Sequence, residues 1–180
     1  VTGVTFALTE KGRPTIRYGE LKKRVSAGAN LIAVRSAVRA LRDSKSMLVR
    51  GSGPNRRSAG SFFLNPIVDA TTFERVSHAC RVLGIDPQDI PHWSVAAGTK
   101  LAAAWLIEKA GYPKGYGHHR VGLSTHHTLA IVNRGGARAS ELIEFALTIR
   151  QGVFDAFGVR LEPEPRLLGF EVHPFADESL

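Results

Sequence analysis

The sequence holds a single cysteine, Cys80, in 180 residues. That excludes an internal disulfide and a cysteine-built metal cage, and it suits a reducing compartment. No apolar run approaches the roughly 18 residues of a membrane span. The longest of note, Leu101 to Ile107, suits a buried helix face. No Gly-rich dinucleotide fingerprint and no P-loop is present. Acidic residues are scarce in the first third: residues 1–60 hold 13 Lys/Arg against 3 Asp/Glu, whereas residues 61–180 hold 11 against 13. The opening residues carry no secretory or transit pattern, so a cytoplasmic location and no membrane association are expected. The chain starts on Val1, not methionine, and is read as a piece of a longer polypeptide.

What is present is an ordinary globular balance, 43% hydrophobic and 22% charged, with a net charge of +8. The basic first third suits anionic partners such as phosphates or nucleotides. Its cations are scattered and lack the interleaved aromatics of single-strand binders, so nucleic acid is not expected as a partner.

Along the chain, Val1 to Leu8 is rich in β-branched residues and is read as a strand, with Thr15 to Tyr18 as a short extended piece. Leu31, Val34, Val38 and Leu41 fall at helical spacing, with Arg35, Arg39 and Arg42 outward. Lys45 follows that helix, where it is placed to meet a phosphate or carboxylate; the same position also reads as an ordinary surface lysine. Thr71-Thr72-Phe73-Glu74 has capping-box spacing and opens a helix that Gly84 stops. Asp86 to Trp93 is read as a loop, and Leu101 to Ala110 as a helix stopped by Gly111. Val121 to Val132 reads as strand material interrupted by His126-His127. Ser140 to Phe157 is the longest amphipathic helix, ended by Gly158; Val159 to Leu161 and Arg166 to Gly169 read as strand pieces.

Three groups of residues invite chemistry. In Gly60-Ser61-Phe62-Phe63-Leu64-Asn65-Pro66, a glycine frees the turn, two aromatics anchor it, and a proline ends it. A serine held that way is placed as a proton donor or nucleophile; the same stretch also reads as a loop whose two phenylalanines fill a core. Glu162 and Glu164 lie on either side of Pro163. Alternation sends both to one face, where one of them would do acid/base work near a substrate; otherwise they are surface glutamates. His118, His119, His126 and His127 cluster, but adjacent strand residues face opposite ways and no carboxylate or cysteine completes a set, so no metal is expected.

The order of these pieces carries a resemblance. Tyr18-Gly19-Glu20-Leu21, Ser44-Lys45, Gly60 to Pro66, Lys100 to Glu108, Leu123 to Asn133 and Leu161-Glu162-Pro163-Glu164-Pro165-Arg166 occur in sequence. Together they resemble the UDP-N-acetylenolpyruvoylglucosamine reductase family, the MurB flavoenzymes of peptidoglycan precursor synthesis, over nearly the whole chain. The resemblance implies an α+β fold: residues 1–45 end a flavin-binding lobe, 46–158 form the substrate-binding lobe, and 159–180 return as a strand and tail. It implies NADPH and FAD as cofactors, with the FAD site mostly outside this chain, and a UDP-sugar substrate. It matches Ser61 to the serine that protonates the substrate carbon and Glu164 to the glutamate that supports the enol form. Tyr18, Lys45, Asn65 and His127 match substrate-binding positions, the last one variable in the family. The family's Gly-rich flavin segments and its Tyr-Arg-x-Ser segment are not in these 180 residues, and residues Ser46 to Ala59 replace the start usual after the lysine. The 180 residues alone are therefore expected neither to hold FAD tightly nor to turn over. Two other readings compete: a nucleotide-sugar-binding module without catalysis, and a basic nucleic-acid-binding domain.

Overall fold

Helices form where an amphipathic stripe is bracketed by a polar cap and a stop. The computed structural model, which describes residues 2–48, 53–117 and 119–176, divides into two units, Val1–Gly51 and Ser52–Leu180. Among its described residues the first unit holds two helices, α1 (Gly19–Lys22) and α2 (Leu31–Ser44). Asn30 caps α2, its Oδ1 accepting the Ala33 amide at 2.9 Å, and Leu21 and Leu41 are buried. Val4, Phe6 and Leu8 are exposed and residues 2–9 form no strand. β-Branched composition favours an extended chain, but a strand needs a partner's ladder, and none runs beside this segment among the described residues. Thr15 to Tyr18 is likewise not a strand; Tyr18 is the N-cap of α1.

The second unit runs β1 (Ser58–Ser61), β2 (Ile67–Val68), α3 (Ala70–Val82), a 3-10 turn (Pro87–Asp89), β3 (His92–Val95), β4 (Gly98–Leu101), α4 (Ala103–Lys109), β5 (Val121–Leu123), β6 (Ala130–Asn133) and α5 (Ala139–Phe157). Its strands form two antiparallel three-stranded sheets, in the orders β1-β6-β5 and β2-β4-β3. Helices and antiparallel sheets together make an α+β fold. Helix α5 packs on α3, α4 and β5. Its stripe of Ile143, Ala146, Ile149, Val153 and Phe157 is buried. Gly158 ends α5 at φ +66°, the left-handed conformation that glycine adopts without strain.

Several boundaries differ from the sequence reading. Helix α3 is capped by Asp69, whose carboxylate accepts the Thr72 amide at 2.7 Å, and not by Thr71. That hydrogen bond holds the Asp69 carboxyl below its ordinary range. Leu101 belongs to β4, and α4 begins at Ala103. Trp93 lies within β3 and not in a loop. The strands expected over 159–161 and 166–169 do not form; the one antiparallel bridge here, Phe63 opposite Pro163, lies between them. Proline has no N–H to extend a ladder.

Candidate active site

Phe62 is the junction of the second unit. Its amide donates to the Leu129 carbonyl at 2.8 Å, which joins it to the β5–β6 connection. Its carbonyl accepts the Glu164 amide at 2.9 Å, and the Leu64 amide donates to the Glu162 carbonyl at 2.9 Å. Ser61 and Glu164, 103 positions apart in the sequence, are thus one residue and one backbone hydrogen bond apart.

The stretch read as a loop is the end of a strand. Ser61 is the last residue of β1, opposite Ala130 on β6, and is half-buried. Gly60 supplies φ +90° immediately before it. Phe62 and Phe63 are buried with ring centroids 5.1 Å apart at 72°. Phe175 packs against both, at 6.1 Å and 6.4 Å. These rings do the packing that the sequence suggested, and they hold the Ser61 backbone on a rigid element.

Asn65 and His127 join the same neighbourhood through structural bonds. The Asn65 Oδ1 accepts the Ala103 amide at 2.9 Å and so caps α4, whose own N-cap residue, Ala102, has no capping side chain. His127 lies half-buried in the turn before Leu129, and its Nδ1 accepts the Leu129 amide at 3.1 Å. That bond favours the neutral tautomer with its proton on Nε2. The turn is fixed on either side. Thr128 Oγ1 donates to the Ala104 carbonyl at 2.9 Å, and buried Asn55 exchanges two hydrogen bonds with Thr125. Glu164 itself is exposed; Glu162 pairs with Arg150 at 3.5 Å.

Tyr18 and Lys45 meet in the first unit. Lys45 Nζ lies 2.5 Å from Glu20 Oε2 and 3.5 Å from the Tyr18 hydroxyl, which donates to Glu20 at 3.2 Å. The hydrogen bond with Lys45 holds the Glu20 carboxyl below its ordinary range, and the same bond raises Lys45. Glu20, a residue the sequence pattern places only within Tyr18-Gly19-Glu20-Leu21, is the partner of Lys45 across 25 positions, a pairing that no local spacing signals. A cavity of about 1040 Å³ in this unit is lined by Lys11, Arg13 and Lys22, but by none of the expected site residues.

Among the described residues no three His, Cys, Asp or Glu side chains converge as a metal site, and His118 lies outside them. Cys80 is buried, and burial pushes its thiol up, away from the reactive thiolate.

Residues 53–168 match the family model for the C-terminal domain of UDP-N-acetylenolpyruvoylglucosamine reductase. The chain belongs to that family. Its relatives include the UDP-N-acetylenolpyruvoylglucosamine reductases of Thermobifida fusca, 46% identical over 176 residues, and of Mycobacterium tuberculosis, 43% identical over 177 residues. The alignments cover 94% of this chain, 49% of the first relative and 47% of the second. That of Nocardia farcinica is 43% identical over 176 residues, covering 94% of this chain and 46% of the relative. The chain spans about half the length of the curated relatives it matches. All four residues at the Phe62 junction (Ser61, Asn65, His127 and Glu164) fall within the stretch matched to the reductase C-terminal domain.

Proposed function

We propose that this chain is the substrate-handling part of a cytoplasmic reductase that converts UDP-N-acetylglucosamine enolpyruvate to UDP-N-acetylmuramate for peptidoglycan synthesis. The supporting observation is the hydrogen bond from the Glu164 amide to the Phe62 carbonyl, which brings the backbone segment bearing the acid candidate next to the one bearing the carboxylate candidate.

Ser61 gives the proton. A serine hydroxyl is a poor acid in water. It suffices for the carboxylate-bearing carbon next to the one that takes the hydride, because the electron pair of the double bond is left there and that enol or carbanion is strongly basic. Its strand end and the two buried phenylalanines fix the backbone that carries the hydroxyl, which limits the freedom to be lost at the moment of transfer. Glu164 supports the enol form of the substrate carboxylate. In the second unit Asn65 and His127 bind substrate; Tyr18 and Lys45, in the first unit, are assigned to an anionic part of the ligand.

FAD and NADPH, when bound, supply the hydride. The residues at Phe62 do not themselves fit either cofactor. A hydroxyl and a carboxylate handle protons, whereas a dinucleotide diphosphate needs cations or backbone N–H groups. No residue at this junction is therefore assigned to FAD or NADPH.

The test joins this chain to the remaining half of the Thermobifida fusca relative and compares Ser61 with Ser61→Ala. Flavin reduction by NADPH should persist, while flavin reoxidation by the enolpyruvyl substrate should fall by about a hundredfold or more. Undiminished reoxidation would remove Ser61 as the acid. Calorimetry on the 180 residues alone separates the binding-module reading: tight binding of the UDP-sugar without flavin would favour it.

A further inference from the structure

Arg150 is carried on α5 with its side chain only 11% exposed. A guanidinium is withdrawn from water at a cost unless its donors are used. Here Nε donates to the Leu161 carbonyl at 3.1 Å and Nη2 reaches Glu162 Oε1 at 3.5 Å. The guanidinium carbon lies 5.7 Å from the centre of the Phe175 ring. That ring packs on both Phe62 and Phe63. One side chain therefore touches the segment that bears Glu164 and the aromatic cluster that supports Ser61.

We propose that Arg150 is a positioning residue that sets the Glu164 segment against the Ser61 strand. This rests on the roles given to Ser61 and Glu164 above. The segment has successive anchors. The Leu161 carbonyl is held by Arg150, the Glu162 carbonyl by the Leu64 amide, and the Glu164 amide by the Phe62 carbonyl. Between them Pro163 fixes its own φ. The latter two anchors tie the segment to β1's extension by a single isolated bridge. Arg150 ties it to α5, a helix of 19 residues that packs on α3 and α4. The fork of the guanidinium suits this task, because one planar group meets a carbonyl and a carboxylate while its face lies over an aromatic ring. Glu164 is exposed, so its place depends on how its backbone is held.

Two readouts test the proposal. In the 180-residue chain, Arg150→Met should speed hydrogen exchange of the Glu164 and Leu64 amides about tenfold or more. The Leu123 amide, which donates to Tyr116 away from the bridge, should be unchanged. In the flavin-loaded polypeptide built with the relative's remaining half, the same variant should slow flavin reoxidation by substrate about tenfold to a hundredfold, the cost of a misplacement of about 1 Å. Flavin reduction by NADPH should stay within about twofold, and Arg150→Lys should recover part of the loss. Parallel loss of both half-reactions, or no loss of reoxidation, overturns the proposal. If Arg150→Met does not fold, Arg150→Lys decides by the same split. Ser61→Ala and Glu164→Gln are measured alongside. If they leave reoxidation intact, the proposed function fails; if they abolish it while Arg150→Met does not slow it, only the positioning role fails.

Discussion

The Glu164 amide donates to the Phe62 carbonyl, and the next peptide bond back along the chain leads to Ser61. The contact is made by backbone, so it does not depend on the glutamate side chain. Glu164→Gln keeps the bridge and removes only the charge. Its stability should stay within about 0.5 kcal/mol of the parent, as for other exposed substitutions. Reoxidation of the flavin by substrate in the reconstituted polypeptide should fall by about a hundredfold. Thermal melts and stopped-flow traces on the same preparations check both halves. A melt that drops with the activity would mean the side chain is structural.

The helices were legible where an apolar stripe met a stop signal. The Ile149-Val153-Phe157 stripe closed by Gly158 marks α5 to within a residue, and Gly84 marks the end of α3. The hairpin of β3 and β4 was not legible. His92 to Val95 is exposed along its length, and Thr99 and Lys100 break the apolar alternation, so the period-2 signal is lost. Leu101, the only buried residue of β4, looks like the first residue of the helix beside it. Val4, Phe6 and Leu8 show the opposite error: the composition of a strand without its partner. The motif order placed Ser61 and Glu164 in one family pattern, but their adjacency comes from a pairing across 103 positions, which no local period encodes. Arg150 left no signal at all. An arginine beside Ile149 on an amphipathic helix looks like any solvated margin, until Leu161 and Phe175 fold over it.

Asn65 has a structural duty that can be separated from substrate binding. Its Oδ1 supplies the cap that Ala102 lacks. Asn65→Ala should cost about 1 kcal/mol, the usual loss for a helix cap. Asn65→Asp keeps an acceptor oxygen and should recover most of it. Urea unfolding of the three proteins gives the values, and equal stability of all three would show that the Ala103 bond contributes nothing.

Gly122 is required by Arg134. The guanidinium of Arg134 donates to the carbonyls of Gly115 and Gly117, each at 2.8 Å, and so holds the turn before β5. A Cβ at Gly122 would collide with that guanidinium and come within 2.8 Å of the Tyr116 carbonyl. Gly122→Ala should destabilise by about 1–3 kcal/mol, as overpacking does. Arg134→Ala should also destabilise, because it leaves those carbonyls without their donor. In the double variant the collision with the guanidinium is gone and only the close approach to the Tyr116 carbonyl remains, so the combined loss should be smaller than the sum of the two single losses. Strict additivity in chemical denaturation would dissociate the glycine from the arginine.

The Glu20–Lys45 pair carries a pH dependence whose sign follows from its two shifts. Glu20 is held below its ordinary 4.5 chiefly by the hydrogen bond from Lys45. Its stabilising contribution is therefore complete above the ordinary carboxylate range and is lost as pH falls through the depressed folded value. Lys45 is raised above its ordinary 10.5 by the same bond. Its contribution is complete below that value and is lost as pH rises through the raised one. Between those limits the pair is intact, and the lysine that the family resemblance assigns to an anionic ligand already has a carboxylate partner. Lys45→Met should return Glu20 toward its ordinary titration, which carbon-detected NMR of the Glu20 carboxyl would follow directly. An unchanged midpoint would mean that Lys45 does not act on Glu20 in solution. A UDP-sugar that engages Lys45 should produce a change of the same sign in the wild-type chain, because the ligand diphosphate would compete with Glu20 for one cation.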